Sequence, residues 1–324
     1  MRDSAGRPPA GVFSRAGTGA TTEVRASTEE LRSPKPLRML WITTAWGACF
    51  LGIRWGLEYA PILWFAALRA VLAGVALLVL CVLQHRPMPR GRHAWLLIVV
   101  LGGVNVTVAF AAMFGGVAGL STGTAAVLAN AQPLLIVLPA WWWYGEAVSW
   151  RTVIALIVGF VGLVLLAAPG GQGALLALFS AVAITAGTLL SRRLVGLDVV
   201  AASGWHFVLG GVGLIGWAAA VEGAPTIAWS PGFLGVLIAL SLVGTAAAFV
   251  GWFVESQHCR LDALTAWTFL VPVIGVVLAA VVLGERPTRW TAFGLAVVLV
   301  SLWTILQPRR GVQKVGTVEA DEKS

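Results

Sequence analysis

The sequence predicts an all-α polytopic membrane protein, with ten transmembrane helices arranged as two inverted five-helix repeats. Three observations predict it. Of 324 residues, 58% are hydrophobic and only 11% charged, with a mean hydropathy of +0.87, where a soluble domain carries about 25% charged residues. Apolar runs follow one another from residue 39 to residue 306, and a helix needs about 20 such residues to cross a bilayer. The two halves of the chain also match each other at a fixed offset. Together these exclude an ordinary soluble enzyme and a disordered chain.

The spans read off in order by hydropathy. Span one covers about 39–59 and stops before Pro61; span two covers 62–83, and a basic loop follows over 85–93. Spans three, four and five cover 94–117, 122–143 and 153–168, and Pro169-Gly170-Gly171 makes a short turn. Spans six to ten cover 174–190, 199–221, 232–254, 263–283 and 291–306. Residues 1–36 and 308–324 are polar and are expected to be disordered cytosolic tails; 37–168 is the first repeat and 171–307 the second. The N-terminal stretch lacks the apolar core of a secretory signal peptide.

Charge sets the orientation. With the N-terminus in the cytosol, 18 of the 22 Lys and Arg residues fall on the cytosolic side, and only Arg286 and Arg289 fall outside. Arg54 and Arg69 lie within spans. Positive residues stay on the cytoplasmic face, so both termini are expected to be cytoplasmic in a cell (inner or plasma) membrane. The net charge of +8 then needs no nucleic-acid partner. Cys49, Cys81 and Cys259 are too far apart for a metal or redox motif, and no metal or cofactor is expected.

The internal repeat has an offset of 139 residues. It carries Gly145-Glu146 onto Gly284-Glu285, Pro133 onto Pro272, Ala109-Phe110 onto Ala248-Phe249, Phe114 onto Phe253 and Arg54 onto Arg193. An offset of 137 carries Val71-Leu72-Ala73-Gly74 onto Val208-Leu209-Gly210-Gly211, and so Arg69 onto His206. Five spans is an odd number, so the second copy enters the membrane upside down. Many secondary transporters are built from such inverted repeats.

Trp46-Gly47-Ala48-Cys49-Phe50 resembles the Trp-Gly-x-x-Phe opening of EamA-type proteins. Spans four and nine, each with a central proline (Pro133, Pro272) and a terminal Gly-Glu, also resemble that family. Over about 37–306 the chain is similar to the drug/metabolite transporter (DMT) superfamily. The resemblance implies a ten-helix inner-membrane carrier, usually an exporter of amino acids, metabolites or toxic compounds, and names no single substrate. Asn130-Ala131-Gln132 departs from the family, which is usually more apolar there.

Ionisable groups within a span cost roughly 2.5–3.5 kcal/mol each, so those present are candidates for function. Arg54 lies roughly 9 Å deep and Glu58 follows it by one turn, where an ion pair, with a coupling role, is expected. Arg69, roughly 12 Å deep without an acid one turn away, is a candidate to line the pathway and attract a carboxylate or phosphate. His206, roughly 12 Å from the cytosolic face, is a candidate for substrate contact and proton coupling, or bonds a nearby carbonyl. Asn105, Asn130 and Gln132 are amides that either bridge helices or bind substrate, beside a helix loosened by Pro133; Thr245, Thr265 and Thr268 are weaker candidates. Of 16 tryptophans, those near span ends, such as Trp141 and Trp143, read as interfacial belt residues. Trp46, Trp252 and Trp267 lie deeper, where packing or stacking on a substrate explains them. Glu146 and Glu285 are expected to cap the helices that follow them.

Gly119-Leu120-Ser121-Thr122-Gly123 matches a hydrolase elbow but joins two apolar spans rather than a strand and a helix. No phosphate-binding P-loop is present. No catalytic residues are assigned, and an enzyme is not expected. The sequence favours a secondary transporter, an exporter of a small amino acid-like or amphipathic metabolite that works by alternating access. Its expected partners are that substrate and the lipid bilayer, with a homodimer left open. The alternative is a non-transporting membrane receptor or assembly factor.

Overall fold

The computed structural model describes residues 34–306 except 137, 138, 140, 141, 143–149, 168–170, 195, 260–263, 265, 266, 269 and 287. The tails to residue 33 and from 307, with Trp141, Trp143, Glu146 and Thr265, lie outside the described residues. Helices occur at all ten expected spans. They are α1 (Pro36–Gly56), α2 (Ile62–Leu83), α3 (Arg92–Gly119), α4 (Thr122–Ala129), α5 (Gln132–Leu135), α6 (Trp150–Ala167), α7 (Gly171–Ser191) and α8 (Val199–Val221). α9 runs in three segments, Pro231–Ile238, Ala239–Ala247 and Ala248–His258, and α10 (Leu270–Val282) and α11 (Arg289–Leu306) follow. Among them α2, α3, α7, α8 and most of α9 are the most clearly long and apolar enough to cross a membrane. Large apolar side chains such as Val79, Val161, Val212 and Val281 stay exposed around the bundle, as a lipid-facing surface requires.

Local chemistry starts and stops the helices. Pro36 stands at the first turn of α1, where its missing N–H costs nothing. Ser121, Asp198 and Ser230 cap α4, α8 and α9 with their side-chain oxygens. The continuous helix expected over 122–143 is corrected: α4 ends at Ala129, and α5 restarts at Gln132. Ala129 is four residues before Pro133, whose ring clashes with that carbonyl and removes the donor.

Packing follows the inverted symmetry. α2 lies along α8, α6 along α11 and α4 along α10, and each pair maps onto itself when the repeats exchange. α3 packs on α7 as α9 packs on α1, and α4 on α7 as α10 on α1. The α2–α8 seam is close enough to need glycine, since a Cβ on Gly74 would lie 2.7 Å from Val208 N and 2.9 Å from Gly204 O. The symmetry extends to the backbone. α3 contains a π-helical segment at Gly103–Val108 and α9 one at Ala239–Ala247, and the offset of 139 overlays them. Such segments are rare and break the regular ladder of carbonyls.

Two carboxylates cap helices of the other repeat. Glu222, after α8, accepts from Leu63 N (2.9 Å) and Trp64 N (3.2 Å) at the start of α2. Glu285, after α10, accepts from Thr122 N (2.9 Å) and Gly123 N (3.1 Å) at the start of α4. The expectation that Glu285 caps the following helix is thereby corrected. α10 packs on α4, and the unpaired N–H groups and positive dipole end of α4 attract the carboxylate more directly than the next helix in sequence.

Candidate functional site

Arg69 points from α2 into the bundle and is 2% exposed. Its Nε donates to Thr245 Oγ1 at 2.8 Å, and its Nη2 reaches Cys49 Sγ at 3.4 Å and Gly244 O at 3.5 Å. Thr245 donates its own proton to Leu240 O, five residues back in the π segment, so its oxygen is left to accept from Arg69. The guanidinium carbon sits 5.0 Å from the centre of the Phe110 ring and 5.8 Å from that of Phe114, within cation–π range. Nη1 is buried without a hydrogen-bond partner. Among the described residues the ion pairs are Arg38–Glu255 and Arg86–Asp198, so Arg69 has no paired acid there.

His206, fully buried on α8, places Nδ1 3.2 Å from Ala202 O, and Nε2 has no partner. Phe249 and Phe253 lie 6.4 and 5.8 Å from its ring. Because Gly74 faces Val208 and Gly204 across the antiparallel seam, His206 and Arg69 stand roughly 8–10 Å apart along the helix axes. His206 lies toward the Arg-rich end, where α1 starts and α2 joins α3. Arg69 lies toward the opposite end.

The aromatic candidates gather on the His206 side. Trp46 lies 5.2 Å from Trp252 and 5.4 Å from Phe249, and Trp267 packs on the same cluster. The amides divide. Gln132 Nε2 donates to Thr188 Oγ1 at 2.8 Å, and the 3%-exposed Asn105 packs on neighbouring Gly187. α7 therefore brings these two together. Asn130 is half-buried and donates to Ala126 O of its own helix at 2.8 Å.

The expected Arg54–Glu58 ion pair is corrected. α1 ends at Gly56, so Glu58 lies exposed in the turn beyond it and the one-turn spacing no longer makes the two face each other. Arg54 instead donates from Nε to Thr122 Oγ1 at 3.2 Å and from Nη2 to Leu120 O, joining α1 to the start of α4. Sequence reasoning missed Glu255. It is 0% exposed, accepts from Arg38 Nη1 at 2.7 Å and from Cys259 Sγ at 3.2 Å, and ties α9 to α1. An acid on the end of an apolar span was the available clue.

The bundle is thus latched between repeats at both ends. Arg38–Glu255 and Arg86–Asp198 (3.0 Å) close the Arg-rich end. The Glu222 and Glu285 caps close the other. Between them lie an unpaired cation, a histidine and two buried amides. Among the described residues no group of three His, Cys, Asp or Glu side chains could hold a metal. Inverted repeats around buried polar groups fit a multi-pass membrane transporter. Both halves match the EamA-like transporter family, over residues 37–168 and 171–307, and the chain belongs to that family within the DMT superfamily. It is 27% identical to "Uncharacterized transporter YvbV" of Bacillus subtilis, over 87% of this chain and 97% of that one. It is 26% identical to a WAT1-related chloroplastic protein of Arabidopsis thaliana, over 81% of this chain and 67% of that one. It is also 26% identical to "Probable terminal-alkyne amino-acid exporter" of Streptantibioticus cattleyicolor, over 80% and 89%. A solved structure overlays it with a TM-score of 0.62 at 19% identity, over 83% of this chain and 97% of that one, which speaks to the fold alone. These names point to a transporter rather than an enzyme.

Proposed function

We propose that this protein exports a small amino acid-like or amphipathic metabolite across the cell membrane by alternating access, with both termini in the cytoplasm. One observation carries the reading. The polar latches that close the two ends join one repeat to the other, so each end opens only when the repeats move apart there. Breaking Arg38–Glu255 and Arg86–Asp198 opens the Arg-rich end; releasing Glu222 and Glu285 from the α2 and α4 N-termini opens the opposite end. The buried groups between them stay in reach of either opening. The lysine and arginine distribution supports the orientation. The amino-acid exporter among the relatives supports the substrate class. His206, buried with one free ring nitrogen, supports proton coupling.

The test is efflux from cells overexpressing the protein, scored by survival against amino acids, dipeptide toxins and cationic drugs. Protection against one chemical class is expected. Protein confirmed in the membrane, with no protection in cells and no flux in proteoliposomes, would refute transport and leave a non-transporting receptor or assembly factor.

A further inference from the structure

We infer that Arg69 anchors a subsite for a monoanionic carboxylate with an aromatic or apolar body, the carboxylate on the Nη1–Nη2 edge and the body against Phe110 and Phe114. The inference rests on the transporter reading only for how the ligand arrives.

The geometry divides the guanidinium into a fixed side and a loose side. Nε is held at 2.8 Å by Thr245, and that hydroxyl is itself locked by Leu240 O. Nη2 has only long contacts, at 3.4 and 3.5 Å, and Nη1 has none. The two terminal nitrogens present parallel N–H groups at the spacing of a carboxylate's oxygens. A carboxylate arriving there replaces two weak contacts and satisfies the free donors, while the Thr245 bond holds the plane in place. Cys49 and Gly244, the loose contacts, belong to α1 and to the π segment of α9, and these helices pack on each other as α3 does on α7. Separation of α1 from α9 would uncover this edge.

Charge and surface set the ligand class. A guanidinium stays protonated, and no described acid pairs with it, so the site lacks one negative charge. A phosphate monoester brings roughly 1.5–2, and the other intramembrane cation, Arg54, is bound to Thr122 and Leu120. A single carboxylate therefore balances the site and a phosphate overfills it. Beside the cation the walls are the Phe110 and Phe114 rings, which favour an apolar or aromatic body over a sugar.

The test measures binding to the purified protein in nanodiscs by thermal shift and tryptophan fluorescence. The probes are phenylacetate, acetate, phenyl phosphate and phenethylamine. Phenylacetate is expected to bind at least tenfold tighter than each of the others. Arg69→Gln should lose at least tenfold of that affinity, Arg69→Lys should keep part of it, and Phe110→Leu or Phe114→Leu should weaken phenylacetate several-fold. Phenethylamine or phenyl phosphate binding as tightly as phenylacetate in the wild type would overturn the inference without any variant. So would phenylacetate binding unchanged in Arg69→Gln or, should that variant not fold, unchanged in both phenylalanine variants. Because binding is read without transport, a protein that binds phenylacetate through Arg69 and moves nothing would refute export and leave the subsite standing. Export of a cation with no carboxylate binding would do the reverse.

Discussion

Glu285→Gln tests the latch at the end away from the arginines. In the wild type both carboxylate oxygens accept backbone N–H groups at the start of α4, at 2.9 and 3.1 Å. Glutamine keeps one acceptor, loses the second, and removes the negative charge from the positive end of the α4 dipole. A charge-assisted hydrogen bond contributes about 1.5–3 kcal/mol, and a carboxylate at a helix N-terminus about 0.3–1 kcal/mol. Glu285 is half-exposed, so screening reduces both, and a net loss of about 2 kcal/mol is expected. That corresponds to a fall in Tm of roughly 3 °C, and to roughly a 30-fold shift toward opening at this end. The shift is read by adding Ala125→Cys on α4, a position 0% exposed, and timing its modification by a membrane-impermeant thiol reagent. The three native cysteines are buried in the closed form, and the same proteins without Ala125→Cys give the background that opening adds at Cys49. Glu58→Gln, in the exposed turn, is the control. If Glu285→Gln matches that control in both Tm and labelling rate, the carboxylate does not hold the end shut and the reasoning fails.

Three further outcomes follow from the same geometry. Gly74→Val should cost about 1–3 kcal/mol or block folding, because the added atoms meet Val208 and the Gly204 carbonyl across the α2–α8 seam; a Tm within 1 °C of wild type would contradict the close approach. Gln132→Leu should cost about 0.6–1.5 kcal/mol by stranding the buried Thr188 hydroxyl, and Thr188→Val added to it should recover most of the loss; denaturation of the single and double variants measures both. His206→Gln should abolish any stimulation of transport by a proton gradient while leaving substrate binding within a fewfold of wild type. A gradient effect that survives in the variant assigns the proton to another group.

Much of the site was legible because burying a polar group in an apolar span is costly. Arg69, Asn105, Gln132 and His206 stood out on that ground, and each is buried. Their partners were not legible. Thr245 lies 176 residues from Arg69, and Thr188 lies 56 from Gln132. Arg54 and Glu58 show the opposite error: the spacing along one helix proposes a pair, and the helix ends before the spacing applies. Glu255 escaped notice because its value depends on Arg38, 217 residues away, and the local sign, an acid at the end of an apolar span, does not name that partner.

The sequence by itself determined the class, the ten spans, the inverted repeat and which polar groups must be paid for in burial. These follow from run length, hydropathy and an offset, all of which act along the chain. Tertiary structure alone decided that Glu285 caps α4 rather than the next helix, that Arg54 binds the start of α4, and that Arg69 keeps two free donors. Those outcomes depend on which helix ends and faces packing brings within about 3 Å. In a bundle where nearly every helix is apolar, hydropathy scarcely distinguishes one neighbour from another, and close glycine seams and the positive ends of helices select them instead.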